Sequence, residues 1–198
     1  MSINKQITDL DNLLNKIYEI SEKLIPSEKR EKLIKSYCHG ILTHFESSLF
    51  LLEKQHYPSV FILTRTNLDI LFKASYVLFQ IKNEDDIDKI FLDKYKFPKF
   101  HEMAKILDSN LEGRGIQDKF FNQFTQNGLG IYSVLSDSIH CGKNSLKVFD
   151  NIHPKFNSKE IEELITLNKN ISIFATMILL LEFKRGEELS VFIQSNKL

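Results

Sequence analysis

From Pro58 to Lys82, apolar residues fall on nearly every face of a helix. Such a segment belongs inside a bundle, and Pro58 suits its first turn, where the missing amide is not needed. On either side the pattern turns amphipathic. Residues 3–24 place Ile3, Ile7, Leu10, Leu14, Ile17, Ile20 (or Tyr18) and Leu24 at helical spacing, with polar residues between, and so predict a helix covering one side of the core. Pro26 ends it, and Ser27 is the expected N-cap of a second helix over about 28–55, with Leu33, Tyr37, Ile41, Phe45, Leu49 and Leu52 as its apolar stripe. The short turn His56-Tyr57-Pro58 makes helices two and three antiparallel neighbours.

Beyond Lys82, Asn83 caps an acidic first turn and a short helix over about 84–95. Pro98 opens another over about 98–109. Loop-like residues follow, then a helix near 116–126 stopped by Asn127-Gly128. Gly130 to His140 form a short helix with Tyr132, Leu135 and Ile139 inward. Residues 141–157 show no periodicity and read as a long loop, a kind of segment that often carries function. Asn157 with Glu160 resembles a capping box ahead of a last long helix over about 158–184, which stops before Gly186. The tail from Leu189 to Ile193 reads as a short strand or an added turn. The expected fold is all-α, a bundle of four long helices plus several short ones, in one domain over 1–198.

Composition narrows the function classes. A chain of 198 residues buries roughly 70% of its unfolded surface and folds without disulfide or metal. Lys+Arg and Asp+Glu are both 26, so no global field gathers nucleic acid, and RNA contact requires a local patch. Cys38 and Cys141 lie far apart with no CxxC, as in a reduced, cytoplasmic protein. The first residues meet Asp9 and Asp11 and form no apolar signal core. The apolar run from Ile171 to Leu181 is about half of a bilayer span; it reads as a core helix, with no membrane partner expected.

Arg65, Asp69 and Lys73, spaced four apart, form one stripe on the central helix. Charges there are costly unless paired. The stripe is either an ion network that fixes helix register, or an arginine held by an aspartate and aimed at an anion, a task that suits the planar guanidinium fork. In Tyr132-Ser-Val-Leu-Ser-Asp-Ser-Ile-His-Cys-Gly142, His140 sits at a helix C-terminus, where the macrodipole favours the cation. It is either a general acid–base, its ordinary pKa being near neutrality, or a capping residue. His44 lies beside the stripe of helix two and reads as a pocket residue or as a satisfied core histidine. His44, His140 and Asp69 lack ligand spacing within one element, so no metal and no cofactor are expected. His39, His56, His101 and His153 have no evident partner in the sequence. Phosphate loops and G-x-S-x-G elbows are absent. Cys141 and His140, adjacent on a helix, point about 100° apart and make a poor nucleophile–base pair.

These residues carry a resemblance. Ile25-Pro-Ser-Glu-Lys-Arg30, His44-Phe-Glu46, Arg65-Thr-Asn-Leu-Asp69, His140-Cys-Gly142 and a long final helix together resemble an uncharacterised family of bacterial all-helical proteins, a domain of unknown function similar in layout to HEPN (higher eukaryotes and prokaryotes nucleotide-binding) bundles. The resemblance covers about residues 20–184. The family's acid is usually Glu where this chain has Asp69, and its Arg is usually followed by Pro where this chain has Thr66. HEPN proteins usually carry an Arg one to two turns before a His on one helix; at those positions before His140 stand Leu135, Val134 and Ser133.

The resemblance implies a cytoplasmic homodimer with RNA or a nucleotide as ligand, acting as a metal-independent ribonuclease, or toxin or effector, of a bacterial defence or toxin–antitoxin system. Arg65, Asp69 and His140 are then the catalytic residues, in one chain or across a dimer, with His44, Lys73, Tyr132, Ser136, Gly142 and Lys143 lining the pocket. The alternative is a non-enzymatic nucleotide- or anion-binding or protein-interaction module of the same fold.

Overall fold

The computed structural model describes residues 3–111, 119–125, 135, 156 and 158–196. Among them the secondary structure is all-helical: α1 (Ile3–Glu22), α2 (Lys29–Glu53), α3 (Tyr57–Phe79), α4 (Glu84–Phe91), α5 (Phe100–Leu111), α6 (Ser158–Glu182) and α7 (Gly186–Asn196), with a 3-10 helix over Asn122–Phe124. The four long helices are α1, α2, α3 and α6.

Side-chain bonds fix how these helices run. Tyr18 donates to Glu46 and Ser21 meets His39, so α1 and α2 are antiparallel. His44 meets Asn67, and Gly40 faces Ile70, so α2 and α3 are antiparallel. Arg30 reaches Glu182, and the Cys38 thiol donates to the Ala175 carbonyl, so α2 and α6 are antiparallel as well. The layer of α2, α3 and α6 carries α1 on one side and α5 on α3.

Packed against α1, α3, α4 and α6, α2 buries more than a narrow stripe: Ile34, Cys38 and Leu42 are buried alongside Leu33, Ile41, Phe45, Leu49 and Leu52, while Tyr37 is only half-buried. On α1 the inward position is Ser21, not Ile20 or Tyr18, because the Ser21 hydroxyl lies 2.6 Å from His39 Nε2. His39 thus has a partner that the sequence did not disclose.

An 18-residue stretch of α6 has a mean hydropathy of 1.7, enough by length and composition to cross a bilayer, but two thirds of that stretch is buried inside the protein. That burial is what a core helix shows.

Several boundaries differ from expectation for local reasons. The N-cap of α2 is Glu28, because the Glu31 carboxylate gathers the Ser27 amide (2.7 Å), the Ser27 hydroxyl (2.8 Å) and the Glu28 amide (3.2 Å). Those donors hold the Glu31 carboxyl below its ordinary range, the Ser27 amide most of all. In place of a helix near 116–126, the described residues 119–125 hold the short 3-10 turn. The Asp108 carboxylate accepts from the amides of Phe121 (2.7 Å) and Asn122 (2.9 Å) and pins it to α5. The expected strand or turn at 189–193 is helical, within α7. Lys184, at φ 56°, makes the left-handed turn that ends α6. Arg185 pairs with Glu188, and two acids in the first turn suit the α7 dipole. The expected loop over 141–157 lies outside the described residues except for Phe156, and so does Asn157 of the expected capping box.

The cap of α4 is as the sequence predicts, with the Asn83 side chain accepting from the Asp86 amide at 2.8 Å. Asn83→Ala is expected to cost about 1 kcal/mol, measurable as a lower urea midpoint at unchanged slope.

Candidate functional site

On α3, residues 57, 61, 65, 69 and 73 recur every fourth position, each a neighbour of the next, and form a stripe that winds about 40° per step around the helix. Aromatic rings line it from end to end. Tyr57 and Phe61 meet Phe156, at ring separations of 5.6 Å edge-on and 5.4 Å stacked. The Arg65 guanidinium pairs with Asp69 and lies 5.6 Å from the centre of the Phe100 ring. The Lys73 ammonium lies 5.5 Å from the centre of Phe97. Phe100 in turn stacks on Phe72 at 4.0 Å, and Phe97 is held edge-on by Tyr76 and Tyr95. The segment from Tyr95 to Phe100, which links α4 to α5, therefore lies along the charged half of the stripe. Ring faces carry negative charge and partly replace the water a buried cation gives up.

The electrostatics are asymmetric. The Arg65 side chain is 9% exposed, whereas that of Asp69 is 40% exposed. The cation sits inside, under Phe100, and the carboxylate looks outward. An incoming phosphate meets the carboxylate first. To receive the guanidinium fork it must displace Asp69 or move Phe100.

The sequence pairs Arg65 with Asp69, and they are paired. Lys73 lies on the same stripe but turns to Phe97. His44 is elsewhere: its Nδ1 lies 2.9 Å from Asn67 Oδ1. The Asn67 amide nitrogen donates to the Ile41 carbonyl, which orients Oδ1 toward the ring, so Nδ1 carries the proton and donates. Asn67 follows Arg65 by two residues, roughly 200° around the helix. His44 thus belongs to the α2–α3 contact and not to the Arg65 face.

His140, Tyr132, Ser136, Gly142 and Lys143 lie outside the described residues, as do Cys141 and His153; within 130–140 the described residue is Leu135, helical and buried. His56 and His101 are exposed. His39 is held below its ordinary pKa by lost hydration and then by Lys35. The Cys38 thiol is buried and pushed up to about 12 by that burial, which suits packing and not nucleophilic work. Among the described residues, no three of His, Cys, Asp and Glu gather as a metal site.

A second charged cluster, not anticipated from the sequence, closes the other end of α3. Arg30 donates to the carbonyls of Leu78 (2.7 Å) and Ile81 (3.0 Å), and its Nε lies 3.0 Å from Glu182. One side chain thereby ties α2 to the end of α3 and to α6. The Glu182 side chain is 8% exposed. Burial raises its pKa despite the opposing pull of Arg30.

The pattern that signals the first site is the four-residue charge spacing; nothing local in the sequence announces Phe97 and Phe100 as its cover. No protein-family model, no curated protein and no solved structure matches the chain.

Proposed function

We propose that this chain is a non-enzymatic binding or interaction module of HEPN-like layout, in which the Arg65–Asp69 pair is a structural element of α3 packed against Phe100 and does not meet a substrate. The observation that carries this reading is the burial of the guanidinium under Phe100 with Asp69 beside it. A cation that stabilises a reacting phosphate must touch it, and this one is covered. Any nucleotide or small anion would approach from the open side, past Asp69 and Lys73. Cytoplasmic residence and a homodimer belong to the same reading.

The test is an RNA-cleavage assay on purified protein in EDTA, beside His140→Ala and Arg65→Met. The expected result is no cleavage above background by any of the three, each folded by circular dichroism. Cleavage by the wild type that is lost in both variants overturns the reading.

One observation favours that second outcome: Asp69 is 40% exposed, so the stripe reaches solvent at one end. The function would then be a metal-independent ribonuclease, a toxin or effector. His140 would move the proton of a 2′-hydroxyl or leaving oxygen, Arg65 would stabilise the phosphate and Asp69 would orient Arg65.

A further inference from the structure

A small pocket of about 100 Å³ opens between α3, α6 and the segment 119–125. Its floor is Leu71, Ser75, Phe121 and Ile178, all buried. Its rim is Phe79, Phe120, Phe174 and Met177, half-buried, and Leu181, exposed. The burial gradient from floor to rim gives it a mouth, so it is not a sealed void. We propose that this pocket is a binding site for a small uncharged molecule bearing a single aromatic ring.

Chemistry selects the occupant. Among the described residues, the one polar side chain lining the pocket is Ser75, and its hydroxyl already donates to the Leu71 carbonyl at 2.8 Å. An ordered water needs two to four polar partners and would find only the Ser75 oxygen among the described side chains. Among the described residues no charged side chain lines it, so phosphates and carboxylates gain nothing from those side chains. Apolar cavities of roughly 150 Å³ stay dry and take up benzene; this one is of the same order, too small for a nucleotide.

Ring geometry points the same way. Phe120 already meets Phe174 at 4.7 Å and Phe121 at 5.1 Å, both edge-to-face. A guest ring packed beside them in the pocket finds edges and faces to complement. Met177 adds a pliable thioether that adapts to an irregular guest. The site is separate from the charged stripe and does not depend on the function proposed above.

The experiment uses the full chain with benzene and indole as probes and imidazole as a polar control. Millimolar benzene or indole is expected to raise Tm by a few degrees, with saturation transfer from protein to probe in proton NMR. Imidazole is expected to do neither. Ser75→Val narrows the floor and Met177→Phe fills the space from the rim; both are expected to abolish the shift and the transfer. If Ser75→Val does not fold, Met177→Phe carries the test. Folded wild type that shows neither effect overturns the proposal, as does an undiminished effect in folded Met177→Phe. The latter places the probes elsewhere on the surface.

Discussion

Asp69→Ala is expected to lower stability by about 3 kcal/mol, whereas Arg65→Met is expected to stay within about 1 kcal/mol of the wild type. The asymmetry follows from burial. Removing Asp69 takes one carboxylate from a guanidinium whose side chain is 9% exposed. Removing one partner of a buried pair leaves a charge that the interior solvates poorly, while replacing the buried ion by an apolar side chain of similar reach does not. Methionine can follow the arginine stem beneath Phe100 and keep that packing. Asp69, at 40% exposed, can take up water once Arg65 is gone. That same exposure puts the Asp69→Ala figure at the low end for a broken buried pair. Urea unfolding of both variants gives the comparison. Equal losses in the two would show that the charge of Arg65 does not depend on Asp69. The result also bears on function, because a tolerated Arg65→Met supplies a folded protein for the cleavage assay.

Arg30→Ala is the second large effect, expected to cost about 3–5 kcal/mol. Three bonds go at once. The Leu78 and Ile81 carbonyls lose their side-chain donor, and Glu182 keeps a carboxylate 8% exposed without its cation. Glu182→Gln in the same background is expected to recover part of the loss, since a neutral amide is cheaper to bury than an unpaired charge. The pH dependence has a definite sign. Burial raises the folded pKa of Glu182 above the ordinary 4.5, so the native state binds its proton more tightly than the unfolded chain does. Its contribution is fully present below pH 4.5 and is lost as pH rises through the folded value. Without Arg30, which lowers that pKa, the window widens upward. Arg30→Ala is therefore expected to gain stability, relative to wild type, as pH falls from 7 toward 5. Urea midpoints across that range check it, and a constant difference between the two proteins would show that Glu182 stays ionised throughout.

The reach of sequence reasoning shows in particular residues. The Arg65–Asp69 pair was legible because a helix brings every fourth residue together wherever the helix lies. The four long helices were legible for a similar reason, since apolar period and capping residues act within a turn or two. Asn83 is one such signal, and it caps α4 as read. Position 21 was not legible: serine looks like a surface residue until His39, on another helix, offers it a partner. At the C-terminus Val191 and Ile193 suggested extended chain, yet α7 is helical. Arg185, Glu187 and Glu188 favour its start, and burial of Phe192 outweighs a weak local preference.

What the chain alone determined is therefore the local layer: the class, the long helices and the register of charges along α3. Tertiary structure decided everything that depends on which distant surfaces meet. Phe100 covers Arg65, Asn67 takes His44 away from that face, and Arg30 reaches Glu182 across 152 positions of sequence. Helical periodicity states which side chains share a face. Whether that face is open to a ligand or sealed by a ring depends on the path of the chain between helices, and no local pattern encodes it.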